Sequence, residues 1–210
     1  MNNCYHLCNQ GGKILFRSNE DFLAASTMSN HAHFVVEALD DAQVVEFCAL
    51  VTKSYSHWYN AHYGQSLART IHFSYRRISS GGMELTNVML YVLKNPIHHG
   101  AAASVFGYRF SSAGYIFGAE LAACMTAGCI QPIFKQYGSL SNAEKRTISR
   151  SASLPDDWLV SGDGMVMPLS YIDMRRVRGL WRNNIKSYLF DMNKATAEDG
   201  FVHEREDAKD

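Results

Sequence analysis

A chain of 210 residues with 47% hydrophobic content is long enough for one globular domain with appendages, or for two small ones. Its 20 Lys and Arg balance 20 Asp and Glu, which argues against an indiscriminate polyanion binder, and no apolar run approaches the roughly 18 to 20 residues of a membrane span. The first ten residues carry neither the basic nor the apolar region of a signal peptide, and five cysteines are an odd count that suits free thiols in a reducing compartment, so the expected location is cytoplasmic.

The segment 5–37 reads as a short strand, a turn at Gly11-Gly12, an apolar Ile14-Leu15-Phe16, a very short helix opened by Ser18 with Asp21 at the capping-box position, and a strand carrying His31 and His33. Cys4, His6 and Cys8 are soft donors, but they lack the C-x-x-C spacing and the second cysteine pair of a zinc knuckle. An amphipathic helix follows, with Val44, Cys48, Val51, Tyr55, Trp58 and His62 recurring at three or four and Gly64 ending it. Ile71–Ile78 alternates like a half-buried strand, and Ser79-Ser80-Gly81-Gly82 is a turn. A second helix runs from Glu84 to Lys94 and is expected to stop near Asn95, because Pro96 disfavours a helical residue before it.

Beyond Gly100 the segments 119–127 and 142–148 read as helices, the second capped by Ser141 with Glu144 three residues on. Asp173 caps a final helix whose apolar side is Met174, Val177, Trp181, Ile185 and Tyr188, with Arg175, Arg176, Arg178, Arg182 and Lys186 on its other faces. Residues 131–190 hold nine Lys and Arg against five acids, net +4, whereas the last twenty hold three against seven, net −4. That gradient suits a phosphate-binding surface followed by a solvated tail, and equally a charged solvent face. Strands alternating with helices up to residue 118, too few for a doubly wound sheet, predict a compact α+β sandwich. The organisation expected is a core over 1–118, a partly helical basic extension over 119–190 and a disordered acidic tail over 191–210.

His31 and His33 stand at i and i+2 on a strand, so both point to one face, the arrangement of a paired metal ligand. Tyr91 and Asn95 stand at i and i+4 on a helix and also project together. A phenol is a nucleophile, and a carboxamide positions a phosphate, a water or a ligand sphere. Taken singly, each has an ordinary reading as a packing or surface residue.

The ordered set is more specific than its parts. His31-x-His33, a helix ending Tyr59-Asn60-x-x-Tyr63-Gly64, a strand with Arg76-Arg77, and Tyr91-x-x-x-Asn95-Pro96 followed by Gly100 together resemble the single-tyrosine HUH transposases, above all the REP-associated tyrosine transposase branch. The similarity continues through Tyr108-Arg109-Phe110-Ser111-Ser112 and Tyr115-x-x-x-Gly118, and so covers about residues 5 to 118. Leu154-Pro155-Asp156-Asp157-Trp158 and the stretch from Gly164 to Tyr188 look like a C-terminal extension of some relatives.

The resemblance implies a ferredoxin-like antiparallel sheet with packed helices, in which His31 and His33 hold a divalent metal, Mg2+ or Mn2+, against the scissile phosphate of single-stranded or hairpin DNA. It implies Tyr91 as the nucleophile that leaves a 5′-phosphotyrosyl enzyme and a free 3′-OH, with Asn95 completing or supporting the metal site. Such transposases act as dimers or monomers, so a homodimer is one expected assembly, and no membrane partner is expected. A tyrosine of pKa about 10 needs help at neutral pH, which a cation on the phosphate supplies. Arg76, Arg77 and Lys94 are the candidates for DNA-backbone contacts; Tyr75, Tyr108 and Phe110 are those for stacking on unpaired bases.

One departure stands out. Only Ser18 to Met28 separates the first strand's turn from the His strand, and at about 1.5 Å per helical and 3.3 Å per strand residue this cannot hold both the helix and the strand of the family pattern in full. A missing sandwich helix is therefore expected. The competing readings are a hairpin or single-strand nucleic-acid-binding protein that has lost cleavage, and an unrelated metal-dependent hydrolase using His31 and His33.

Overall fold

The computed structural model describes residues 3–10, 21–28, 31–64, 72–124, 133–148 and 154–194. Strands β1 (Asn3–Gln10), β2 (Asp21–Thr27), β3 (His31–Ala38) and β4 (His72–Ile78) form an antiparallel sheet in the order β2-β3-β1-β4, the strand order of a ferredoxin-like α+β fold. β3 is interior, and seven of its eight residues are buried, so it reads as a near-continuous apolar run interrupted by His31 and His33.

Alternation along β1 and β3 sends Tyr5, Leu7, Phe34 and Val36 to one face and Cys4, His6, His33 and Val35 to the other. Helix α1 (Asp41–Tyr63) covers the first face with Val44, Phe47 and Val51. Its start is fixed by Asp40, whose side chain accepts from the Gln43 N–H at 2.9 Å, and by the Tyr5 hydroxyl, which donates to Asp41 at 2.7 Å. Burial, with Asp41 beside it, pushes the Tyr5 phenol up to about 12. Gly64, at φ +63°, closes the helix by donating its N–H to the Asn60 carbonyl, as the sequence predicts.

Helix α2 (Gly82–His98) lies on the opposite, histidine-bearing face. It does not stop at Asn95: Pro96 sits inside it. Tyr91 to Pro96 are six consecutive buried residues, and this packing outweighs the local bias against a helical residue before proline. The last turn is closed by the His99 N–H on the Asn95 carbonyl and the Ala101 N–H on the Pro96 carbonyl, at 3.1 and 2.8 Å.

The helix expected from Ser18 is corrected over its described part, since Asp21–Thr27 is the full strand β2. Phe22, Leu23, Ala24 and Ala25 are all buried, and a run buried on both faces has no alternation by which to recognise it. Whether a sandwich helix precedes it concerns residues 11–20, outside the described residues.

The single final helix is also corrected, into α5 (Met174–Leu180) and α6 (Ile185–Asn193). Arg182 and Asn183 adopt left-handed φ of 51° and 54° between them, and Asn184 caps α6 by accepting from Lys186 and Ser187. Between α2 and α5 lie α3 (Gly118–Cys124), the two-stranded pair β5 (Phe134–Gln136) and β6 (Leu159–Ser161), and α4 (Asn142–Ile148) with a reciprocal Ser141/Glu144 capping box. The strand pair has its own small cluster of Tyr137, Leu154 and Val160 and escapes sequence reading because three-residue strands show no period. The expected disordered tail falls largely on residues 195–210, outside the described residues; Asp191–Asn193 is helical.

The extension shares the main core, to which Ile172, Val177, Trp181, Tyr188 and Met192 all belong. The edge of β2 is covered from both regions: the Asp173 N–H of the extension donates to the Phe22 carbonyl at 2.8 Å, and the Ser112 N–H, ahead of the extension, to the Ala25 carbonyl at 2.8 Å. Among the described residues no helix is long and apolar enough to cross a membrane. The approach at Gly114 is close, since a Cβ there would meet the Phe106 carbonyl oxygen at 2.6 Å. Gly114→Ala is accordingly expected to cost about 2 kcal/mol in urea unfolding, and an unchanged midpoint would contradict that contact.

Candidate functional site

β3 brings His31 and His33 to the α2 face, and α2 brings Tyr91 and Asn95 down onto them, so four residues spread over sixty-five positions form one cluster. His31 Nε2 lies 3.0 Å from Asn95 Oδ1, and since a carboxamide oxygen only accepts, the imidazole N–H donates. The Tyr91 ring stands edge-on to the His33 ring at 5.3 Å and to the His6 ring at 5.8 Å. All are buried: His31 is 8% exposed, His33 and Tyr91 2% each and Asn95 0%.

Sequence reading missed several neighbours. His6 on β1 places Nε2 3.1 Å from His33 Nδ1, and burial, helped by the charge of Arg76, lowers it to about 4, leaving it neutral at pH 7. Cys8 Sγ lies 3.8 Å from His33 Nε2, and Ser26 stands opposite His33 across the β2–β3 pair. His98 packs against Tyr91 with ring centroids 6.3 Å apart, and His99 against His31 at 4.5 Å. The expected helix stop at Asn95 concealed His98; with the helix continued, Tyr91, Asn95 and His98 fall at i, i+4 and i+7 on one face. The pairing of His6 with His33 depends on strand register, which no local signal supplied.

The candidate DNA contacts do not form one surface. Arg76 stands opposite His6 in the register, half-exposed and paired with Glu84 at 3.0 Å. Arg77 bonds the Asn3 side chain, and Tyr75 meets Tyr5 edge-on at 6.3 Å, so both belong to the α1 face. Lys94 is buried, its ammonium donating to the Lys194 carbonyl at 3.2 Å, where an open position against DNA was expected. Tyr108 donates to the Thr27 carbonyl at 2.8 Å and Phe110 is 43% exposed beside it, at the β2 end nearest His31.

Cys4 is drawn into a different cluster from His6 and Cys8. Arg176 pairs with Glu37 and donates to the Ser80 carbonyl, and Cys4 Sγ lies 3.4 Å from Glu37, tying α5 to the sheet. Burial pushes the Cys4 thiol up to about 11. Iodoacetamide at about pH 8 is expected to label the exposed Cys124 in the native protein and Cys4 only on unfolding. Equal labelling of both, read by mass spectrometry of digests, would contradict that burial.

Among the described residues no three His, Cys, Asp or Glu side chains form a ready metal cage. Two imidazoles and a carboxamide are nevertheless suited to a divalent ion that draws its remaining ligands from water and phosphate. Asn95 Nδ2 and Ser26 Oγ are buried with no hydrogen-bond partner among the described residues, which leaves polar atoms for an oxygen ligand to meet. The residues fit such an ion, and because none of these donors is charged, its charge is left for further ligands to balance. Comparison with protein-family models, with curated proteins and with solved structures gives no match.

Proposed function

We propose that the chain is a DNA strand transferase that cleaves and rejoins single-stranded, hairpin-bearing DNA through Tyr91. The observation that carries this reading is the convergence of Tyr91 and Asn95 from α2 on His31 and His33 from β3, with His31 Nε2 and Asn95 Oδ1 3.0 Å apart. Tyr91 Oη attacks phosphorus; the Oη–P bond forms as the P–O3′ bond breaks, the phenolic proton is lost to solvent and the departing 3′-oxygen takes one up. A divalent ion held by His31 and His33, when bound, offsets phosphate charge and favours the ionised phenol. Asn95 orients His31 through Oδ1 and offers its N–H groups to a phosphate oxygen, while the rings of His6 and His33 hold the Tyr91 ring edge-on. The 3′-OH reverses the step on the stored phosphotyrosyl ester, so rejoining needs no nucleotide.

A second reading is favoured by one observation, the burial of Tyr91, which is 2% exposed behind His6, His33 and His98. A nucleic-acid-binding protein that no longer cleaves accounts for that burial directly, whereas cleavage requires His98, on the last turn of α2, to move aside. Denaturing gels of the protein with a 5′-labelled and a 3′-labelled hairpin oligonucleotide, with and without Mn2+, separate the two. Strand transfer gives a metal-dependent covalent band; the second reading gives salt-sensitive binding in native gels with no such band.

A further inference from the structure

We propose that His6 is a positioning residue for the metal site: its Nε2 accepts the Nδ1–H of His33 and so presents the Nε2 lone pair of His33 to the ion. The inference rests on the metal reading of His31 and His33 and adds a residue from a different strand. The two nitrogens lie 3.1 Å apart with the rings tilted by only 8°, so a single proton lies between them in the plane of both rings. Two arrangements satisfy that geometry. In one, His33 donates from Nδ1 and its Nε2 carries a lone pair; in the other, His6 donates and the His33 proton sits on Nε2.

His33 Nδ1 is occupied by His6, so a metal reaches His33 only through Nε2, and Nε2 is a ligand only in the first arrangement. Metal-ligating histidines as a rule donate their second N–H to an acceptor that fixes the tautomer. Here a second imidazole, that of His6, fills that place at His33 Nδ1. His6 is suited to accept because it is 3% exposed, with its Nε2 set 3.1 Å from His33 Nδ1. Cys8 Sγ, 3.8 Å from His33 Nε2, is placed to donate its S–H weakly to that lone pair until a metal displaces it. His31 needs no such partner on the same side, because Asn95 already orients it.

The test uses the full chain, Mn2+ alone as probe, and two substitutions. His6→Gln puts an amide oxygen near the position of Nε2 and preserves the acceptor; His6→Leu fills the space and removes it. Mn2+ binding, followed by electron paramagnetic resonance, is expected to stay within about threefold of wild type in His6→Gln and to weaken by about 10- to 100-fold in His6→Leu. Imidazole nitrogen NMR of the metal-free wild type is expected to place the His33 proton on Nδ1, a readout independent of whether His6→Leu folds. Wild-type affinity in a folded His6→Leu, or a His33 proton found on Nε2, overturns the role of His6 while leaving the metal reading standing. Wild type that takes up no Mn2+ overturns the metal reading, and the proposal with it.

Discussion

Tyr91→Phe is expected to abolish the covalent protein–DNA band, lowering its rate of formation by at least about a thousandfold, because the substitution removes the only atom that attacks while leaving the ring in place. The ring is held edge-on to His6 and His33, contacts that phenylalanine keeps, so the fold and the affinity for a hairpin oligonucleotide are expected to stay near wild type. This separation of binding from cleavage gives the variant its force. A His31→Ala or His33→Ala change is expected to suppress the same band, but by way of the metal, and excess Mn2+ is expected to restore part of it. Tyr91→Phe offers no such rescue. A Tyr91→Phe protein that still forms the band would move the nucleophile elsewhere and remove the reason for the convergence of α2 on β3.

Phe22→Ala is expected to destabilise the protein by about 3 to 5 kcal/mol in denaturant unfolding. Phe22 is fully buried, and its ring meets Phe34 of β3 at 6.2 Å, Phe47 of α1 at 5.6 Å and Tyr171 of the C-terminal extension at 5.7 Å. Its carbonyl also accepts from the Asp173 N–H. One side chain thus joins sheet, helix and extension, and a cavity there is felt by all three. The loss is expected as a shift of one transition followed alike by circular dichroism and, in a Trp58→Phe background, by tryptophan fluorescence, which then reports only Trp158 and Trp181 in the extension. Two separate transitions, with fluorescence unmoved by Phe22→Ala, would show that residues 119–190 fold apart from the sheet.

The legible parts of this chain are those with local signatures. Gly64 ending α1, the Ser141/Glu144 box opening α4 and the two-residue period of His31 and His33 each depend on neighbours within one turn or one pleat, and each is found where expected. The errors share a cause, which is long-range packing. Pro96 fails to end α2 because Tyr91 to Pro96 are buried together, and β2 hides because it is apolar on both faces. The apolar stripe of Val177, Trp181 and Tyr188 persists across a chain reversal at Arg182 and Asn183, so its spacing concealed the break. At the site, the His pair and the Tyr91/Asn95 pair could each be drawn from spacing. That they meet, that His6 joins them and that Lys94 is turned to the end of α6 follow from sheet register and helix docking, which no window of sequence contains.

The most direct measurement is mass spectrometry of the protein after incubation with a hairpin-bearing single-stranded oligonucleotide and Mn2+, followed by nuclease trimming and digestion. Strand transfer through Tyr91 predicts a phosphonucleotide on the peptide containing Tyr91, present only with metal and carrying the 5′ end of the cleaved strand. An unmodified Tyr91 peptide across a panel of hairpin substrates, with the DNA bound and intact, would contradict it.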